Sequence, residues 1–291
     1  MTQNVNNWNT TQYARRAMAI YQQRGNRLRP TVTQAMRIAN NEKGIFWLAG
    51  KSVAKKKTRG QRNIPGNGER KKFEVSLETW VAYDEIEEYD EDRTTVDERE
   101  VIYSSGAMAL GRATDIEIYA KMAAAKTTVD GSLDFSAGAF SAAHALRLCA
   151  ALQDDKVPWD GQVFCGLPSL QWNQFLGNKV VNSAEHVSDD LPFVKSTDTR
   201  FWNGVNWFLF VEEDAEDLYP VPGANKQDLF IWHKSAMGWA NNTDLRVISQ
   251  WHNEYDVTSF NMQAKGAATT LQEGKGVARF RTGTDSSIAI V

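Results

Sequence analysis

The chain has 291 residues, 33 of them basic and 36 acidic, for a formal net charge of -3, with 42% hydrophobic and 24% charged residues. That is ordinary globular composition, and no apolar run approaches the ~20 residues of a membrane helix. The Asn-rich polar start is unlike a secretory signal, and two cysteines, Cys149 and Cys165, are too few for a disulfide framework or a closed zinc site. Collagen, coiled-coil, membrane and disulfide-scaffold classes are excluded, and a soluble, reduced, intracellular protein is expected.

Charge is unevenly spread. Residues 1–43 carry seven basic groups against Glu42. Residues 50–72 carry nine against Glu69, and residues 84–100 hold ten acids against two arginines. The net charges are therefore +6, +8 and -8. Blocks this dense stay solvated or meet a partner of opposite sign.

Residues 11–40 read as a partly helical arm, with Tyr13, Ala17, Ile20 and Tyr21 in its first part. Gly25 and Pro30 break it, and a second helical stretch is expected over 31–40. Strand patterns at 45–48 and 73–80 flank a segment with few apolar residues, interrupted by Gly60, Pro65, Gly66 and Gly68. A structureless stretch of this length is uncommon inside a compact domain. Two strand-like flanks around a cationic tip predict a long projecting hairpin.

The strongest helix signal covers 97–125. Asp97 is placed to cap it, Glu98 and Glu100 suit its positive end, and alanines fill it without a proline. Gly106 and Gly111 suit close packing there. A second helix is expected over 136–153, a strand over 162–166 and a proline-opened helix over 168–176. An aromatic strand over 202–211 and a buried strand over 228–232 follow. Weaker strands are expected over 245–249 and 258–262, and a final pair over 277–281 and 287–291.

Catalytic and metal motifs are missing. None of His144, His186, His233 and His252 lies in a metal-binding spacing. His186 with Asp189 and Asp190 is the best acid–base set, and a polar loop explains it better. Cys149 and Cys165 sit among apolar neighbours, as small buried hydrophobes do. The segment Gly66-Asn67-Gly68-Glu69 lacks phosphate-loop spacing, and the acids of 84–92 lack the alternation and central glycine of a calcium loop. No cofactor is expected. The basic segments suit phosphate neutralisation, but 50–72 contains no aromatic for base stacking.

Several segments recur in a recognisable order. Ala107-Met108-Ala109-Leu110-Gly111-Arg112-Ala113-Thr114-Asp115 lies in the long helix. Val157-Pro158, then Pro168-Ser169-Leu170-Gln171, then Leu229-Phe230-Ile231-Trp232-His233-Lys234-Ser235-Ala236-Met237-Gly238 follow, and Gly276-Val277-Ala278-Arg279-Phe280 comes near the end. In this order the chain resembles, over nearly its whole length, the major capsid proteins of tailed bacteriophages with the Hong Kong 97-type fold.

The resemblance implies an α+β capsid fold. Residues 1–44 would be the N-terminal arm and 45–82 the extended E-loop. Residues 83–130 would form the P-domain with its spine helix, 131–240 the A-domain, and 241–291 the C-terminal P-domain strands. It also implies a structural protein without turnover. Copies would assemble as hexamers and pentamers of an icosahedral head around double-stranded DNA, from a procapsid that matures by expansion. Portal and scaffolding proteins, and in some members a decoration protein, would be partners. A separate scaffold or prior removal of a scaffolding segment is expected, and no isopeptide crosslink is predicted.

In such folds the E-loop lies over a neighbouring subunit. A tip of +8 with few apolar residues cannot be held by burial, and 84–100 offers the opposite charge. Lys55, Lys56, Lys57, Arg59 and Arg62 of one subunit are therefore expected to approach Asp84, Glu85, Glu87 and Glu88 of another. The N-terminal arm, at +6, is expected on the inner surface near DNA. The competing reading is a DNA-binding or DNA-packaging accessory protein, and an enzyme using His186 or Asp189 comes third.

Overall fold

The computed structural model describes residues 25–35, 37–39, 42–52, 54–60, 62, 68–87, 98–182, 198–210 and 226–283. The expected helix before Gly25, Glu88, the Asp97 cap, the His186, Asp189 and Asp190 set, and the strand over 287–291 lie outside these residues.

A four-stranded sheet has the order β1 (Thr33–Gln34), β11 (Met237–His252), β12 (Val257–Thr270), β5 (Glu78–Glu87). A six-stranded sheet has the order β6 (Asp134–Phe135), β13 (Val277–Gly283), β10 (Lys226–His233), β7 (Val163–Leu167), β9 (Val205–Leu209), β8 (Thr199–Trp202). The third sheet is β2 (Arg37–Ala39), β3 (Lys43–Ala49) and β4 (Arg70–Ser76). The last two strands of this sheet are the hairpin expected from sequence.

The 28-residue helix α1 (Glu98–Ala125) is as the sequence predicts and extends about 42 Å at 1.5 Å per residue. Its first half lies on the four-stranded sheet, where Leu110 and Ile102 meet Trp80, Ala82, Met262 and Ala264. Gly106 makes that approach close, because a Cβ there would stand 2.0 Å from the Met262 methyl carbon. The second half turns Ile118, Tyr119 and Met122 into the core of the six-stranded sheet. The two halves bury different faces, so the helix has no single apolar stripe.

In the six-stranded sheet β10 is central and Leu229 to His233 are all buried. Helices α2 (Ala142–Asp154) and α3 (Ser169–Leu176) and a short turn of helix, α4 (Lys179–Asn182), follow in chain order. Phe140, Phe175, Trp207 and Phe280 form an aromatic cluster, the Phe175 and Trp207 rings lying 4.8 Å apart.

Five expectations are corrected. The arm forms no α-helix over the described residues of 31–40. A 3-10 turn (Arg29–Thr31) leads into β1 and β2, since Thr31, Val32 and Thr33 are β-branched and the Trp232 indole donates to the Thr31 carbonyl at 3.3 Å. Helix α2 begins at Ala142 rather than 136. The Gln174 and Asn178 side chains take the N–H groups of Phe140 and Ala142, and Ser141 N–H donates to His144 Nδ1 at 3.2 Å.

The aromatic stretch over 202–211 is two strands, β8 and β9, joined at Asn203 and Gly204, both with positive φ. The stretch 73–80 is likewise divided. It breaks at Leu77, whose N–H donates to the Glu42 carbonyl at 2.8 Å, and the chain passes from the hairpin sheet to the four-stranded sheet. Strands β11 and β12 are far longer than the short segments the alternation marked.

Candidate assembly interface

Strands β3 and β4 pair antiparallel from Lys43↔Ser76 to Ala49↔Arg70, and Gly50 N–H extends the ladder to the Glu69 carbonyl at 2.5 Å. Period-2 alternation gives the hairpin two faces. Phe46, Leu48, Phe73 and Val75 pack with Ala240 and Leu271 of the body. Trp47, opposite Lys72, points the other way and is 54% exposed.

Ion pairs cluster at the base. Lys71 meets Glu273 at 2.5 Å, Lys43 lies 3.8 Å from Glu74, and Lys72 also pairs with Glu74. These lysines hold the Glu74 and Glu273 carboxyls below the usual carboxylate range. Towards the tip, Lys55, Lys56, Lys57, Arg59 and Arg62 are exposed, and none forms an ion pair with another described residue.

Asp84, Glu85 and Glu87 are exposed on β5, the terminal strand of its sheet. The pleat separates them. Asp84 has the parity of Trp80, Ala82 and Ile86, on the side covered by α1. Glu85 and Glu87 share the opposite face with Val81 and Tyr83, which are 54% and 55% exposed. The Tyr83 hydroxyl donates to the Glu85 carboxylate, and that hydrogen bond raises the phenol's pKa. Among the described residues, no ion pair joins the tip cations to these acids within one chain.

Two buried carboxylates tie the elements that carry these surfaces. Asp115 of α1 accepts the backbone N–H groups of Arg27 and Leu28, each at 2.9 Å, while Asn26 N–H donates to the Gly111 carbonyl at 3.1 Å. Gly25 sits against Gly111 so closely that a Cβ on Gly25 would lie 2.2 Å from the Gly111 carbonyl carbon. Burial pushes the Asp115 carboxyl up to about 6. Asp228 on β10 holds Arg279 at 2.6 Å and Arg281 at 2.7 Å. Arg279 also donates to the carbonyls of Lys126 and Thr127, just beyond the C-terminus of α1. Sequence spacing shows neither joint, because the partners are 88 and 51 residues apart.

Burial pushes both cysteine thiols up, against a nucleophilic role. His233 lies between Ser235 Oγ at 2.8 Å and Asp160 Oδ1 at 3.0 Å, an arrangement the sequence reading missed. Ser235 N–H also donates to Nδ1, so that nitrogen is the acceptor and Nε2–H points to Asp160. The ring caps the 3-10 turn Lys234–Ala236, its Nδ1 accepting the Ser235 N–H. Among the described residues, no group of three or more His, Cys, Asp or Glu is placed to hold a metal ion, and no helix is long and apolar enough to cross a membrane.

A family model described as phage capsid protein matches residues 5–279. A search of curated proteins gave no match. The fold is similar to the capsid of cyanophage Pam1, with a TM-score of 0.69 and 13% identity over 95% of this chain and 97% of that one. It is also similar to the head of Helicobacter pylori bacteriophage KHP40, with a TM-score of 0.67 and 10% identity over 96% of each chain. The capsid of cyanophage P-SCSP1u gives 0.65 and 13% identity over 94% and 92%. At these identities the likeness is one of fold.

Proposed function

The chain belongs to the phage capsid protein family, and from that premise we propose that it builds an icosahedral tailed-phage head as hexamers and pentamers enclosing double-stranded DNA. In this reading it has no catalytic turnover. Portal and scaffolding proteins, and a decoration protein where one exists, meet the assembled shell rather than a pocket in the subunit. Residues 1–44 act as the arm, 45–82 as the E-loop, 83–130 as the P-domain with α1 as its spine, and 131–240 as the A-domain. Residues 241–291 supply most of β11 and all of β12 to the four-stranded sheet, and β13 to the six-stranded one.

The observation that carries the proposal is the hairpin itself. Its base is packed and ion-paired on its own chain, while Lys55, Lys56, Lys57, Arg59 and Arg62 form no ion pair there with another described residue. A tip without burial is not held by its own core. The acids of β5 on a neighbouring copy supply the opposite charge. Single exposed pairs are weak, but a closed shell repeats them many times.

The test is charge reversal. Changing Asp84, Glu85, Glu87 and Glu88 to Lys abolishes normal shells in negative-stain images, and changing Lys55, Lys56, Lys57, Arg59 and Arg62 to Glu in the same chain restores them. Normal shells from the first variant alone refute the contact. A compact monomer with steeply salt-dependent DNA binding, in place of shells or capsomer rings, would establish the accessory-protein reading instead.

A further inference from the structure

We propose that Trp47 is the apolar anchor of the hairpin contact and seats on Val81 and Tyr83 of a second copy of this chain. The inference rests on the reading that the hairpin lies on a neighbour, and it adds a residue and a register to that reading.

Trp47 stands on the hairpin face turned away from Phe46, Leu48 and Phe73, so its exposed ring contributes nothing to its own core cluster. Lys72, directly across the ladder, holds its ammonium 5.7 Å from the ring centroid and limits the ring's motion. A large aromatic side chain on a paired arm, with one cation over its ring, has the composition of an interface anchor. Isolated exposed apolar residues are common, so Trp47 alone decides nothing.

The second surface is what selects the partner. Val81 and Tyr83 are exposed to the same degree as Trp47 and lie in line with Glu85 and Glu87 on the face of β5 opposite α1. An aromatic-plus-cation surface thus meets an aliphatic–aromatic-plus-acid surface, and both belong to this chain.

The spans agree. Glu87 to Val81 is about 20 Å along a strand, and Glu87 to Thr79 about 26 Å. Trp47 to Lys55 is about 26 Å at full extension and less where the chain leaves the strand. With Lys55 at Glu87, the indole falls between Thr79 at full extension and Val81 where the chain shortens beyond Ala49, and Tyr83 is the next residue on that face towards Glu87. The hairpin therefore runs along β5 with its tip at the Glu87 end.

The test is the concentration at which purified subunits begin to assemble, read by light scattering. Trp47→Ala is expected to raise it on the order of tenfold or more, with Trp47→Phe close to the parent. Tyr83→Ala is expected to raise it similarly, and the double variant to be little worse than either single one, since one contact is lost once. Unassembled Trp47→Ala should melt as the parent does. If it does not fold, the conservative Trp47→Phe and the Val81→Ser variant on the receiving strand carry the same test. Trp47→Ala assembling at the parent concentration, or fully additive losses, overturns the anchor. Normal assembly of Trp47→Ala with failure of the charge-reversed β5 would remove the anchor and leave the hairpin reading standing. Normal assembly of both would remove both.

Discussion

Asp115 Oδ1 accepts the backbone N–H of Leu28 at 2.9 Å, and both residues are fully buried. The carboxylate takes the Arg27 N–H with its other oxygen, so the root of the amino-terminal segment is fastened to the middle of the long helix by one side chain. The Arg27 charge and the two N–H groups favour the ionised form, but burial outweighs them and leaves the carboxyl at about 6.

This joint gives a pH signature. The unfolded carboxyl ionises near 3.8 and the folded one near 6, so the folded chain holds the proton more tightly. Stability from this group is therefore greatest in acid and declines as pH rises through the window from about 4 to about 6. The full decline is on the order of 3 kcal/mol. Urea unfolding of the unassembled subunit at several pH values should show the stability difference between parent and Asp115→Asn changing across that window and level above it. An unchanged difference would mean that Asp115 ionises in the fold as it does in the open chain.

The Asp228 joint should respond more sharply to the loss of its charge. Asp228→Asn leaves Arg279 and Arg281 without a buried counter-charge, a loss of about 3–5 kcal/mol. Because Arg279 also holds the Lys126 and Thr127 carbonyls, Arg279→Lys should loosen the end of α1 selectively. Hydrogen exchange should then rise near residues 122–127 and stay level near Gly106. A uniform rise would show that the arginine serves general stability alone.

At Gly106 the expectation is steric. An added Cβ meets the end of the Met262 side chain, and Gly106→Ala should cost about 1–3 kcal/mol by overpacking. Because the obstacle is a flexible side chain, Met262→Ala in the same chain should return part of that loss. Thermal melting of the two single variants and the double variant measures this. A double variant at the simple sum of the losses would place the strain elsewhere.

The split of the acids predicts an unequal response at the shell contact. Reversing Glu85 and Glu87 to Lys should suppress assembly more than reversing Asp84, which lies on the side of β5 covered by α1. The deficit should shrink at high salt, where exposed charges more than about 3 Å apart are screened. Scattering-monitored assembly at low and high ionic strength separates the variants. Equal suppression by Asp84→Lys would place the partner on the helix side of the sheet.

Residues 97–125 read as one helix in the linear chain because alanine content and the absence of proline act locally. The hairpin was legible for a similar reason, since apolar alternation stops where the lysines begin. The longer strands were not. Bulges near Asn241, Thr243 and Arg246 interrupt the alternation of β11, so only 245–249 of it was marked in the sequence. The stretch 31–40 misled because β1 gains its strand character from pairing with Gly238 and Trp239, some 200 residues away.

Local composition therefore established the long helix, the cationic hairpin and the acidic stretch that follows it, and the order of short segments along the chain carried the resemblance to phage capsid proteins. Which acids share a face, that Trp47 stands outward, and that Asp115 clasps the arm's root came from the packed structure. The reason is physical. Propensity and charge density belong to neighbours in the chain, whereas the face a strand residue presents depends on what covers the other face. Here that cover is α1, packed on β5 and β12 through contacts formed across the chain.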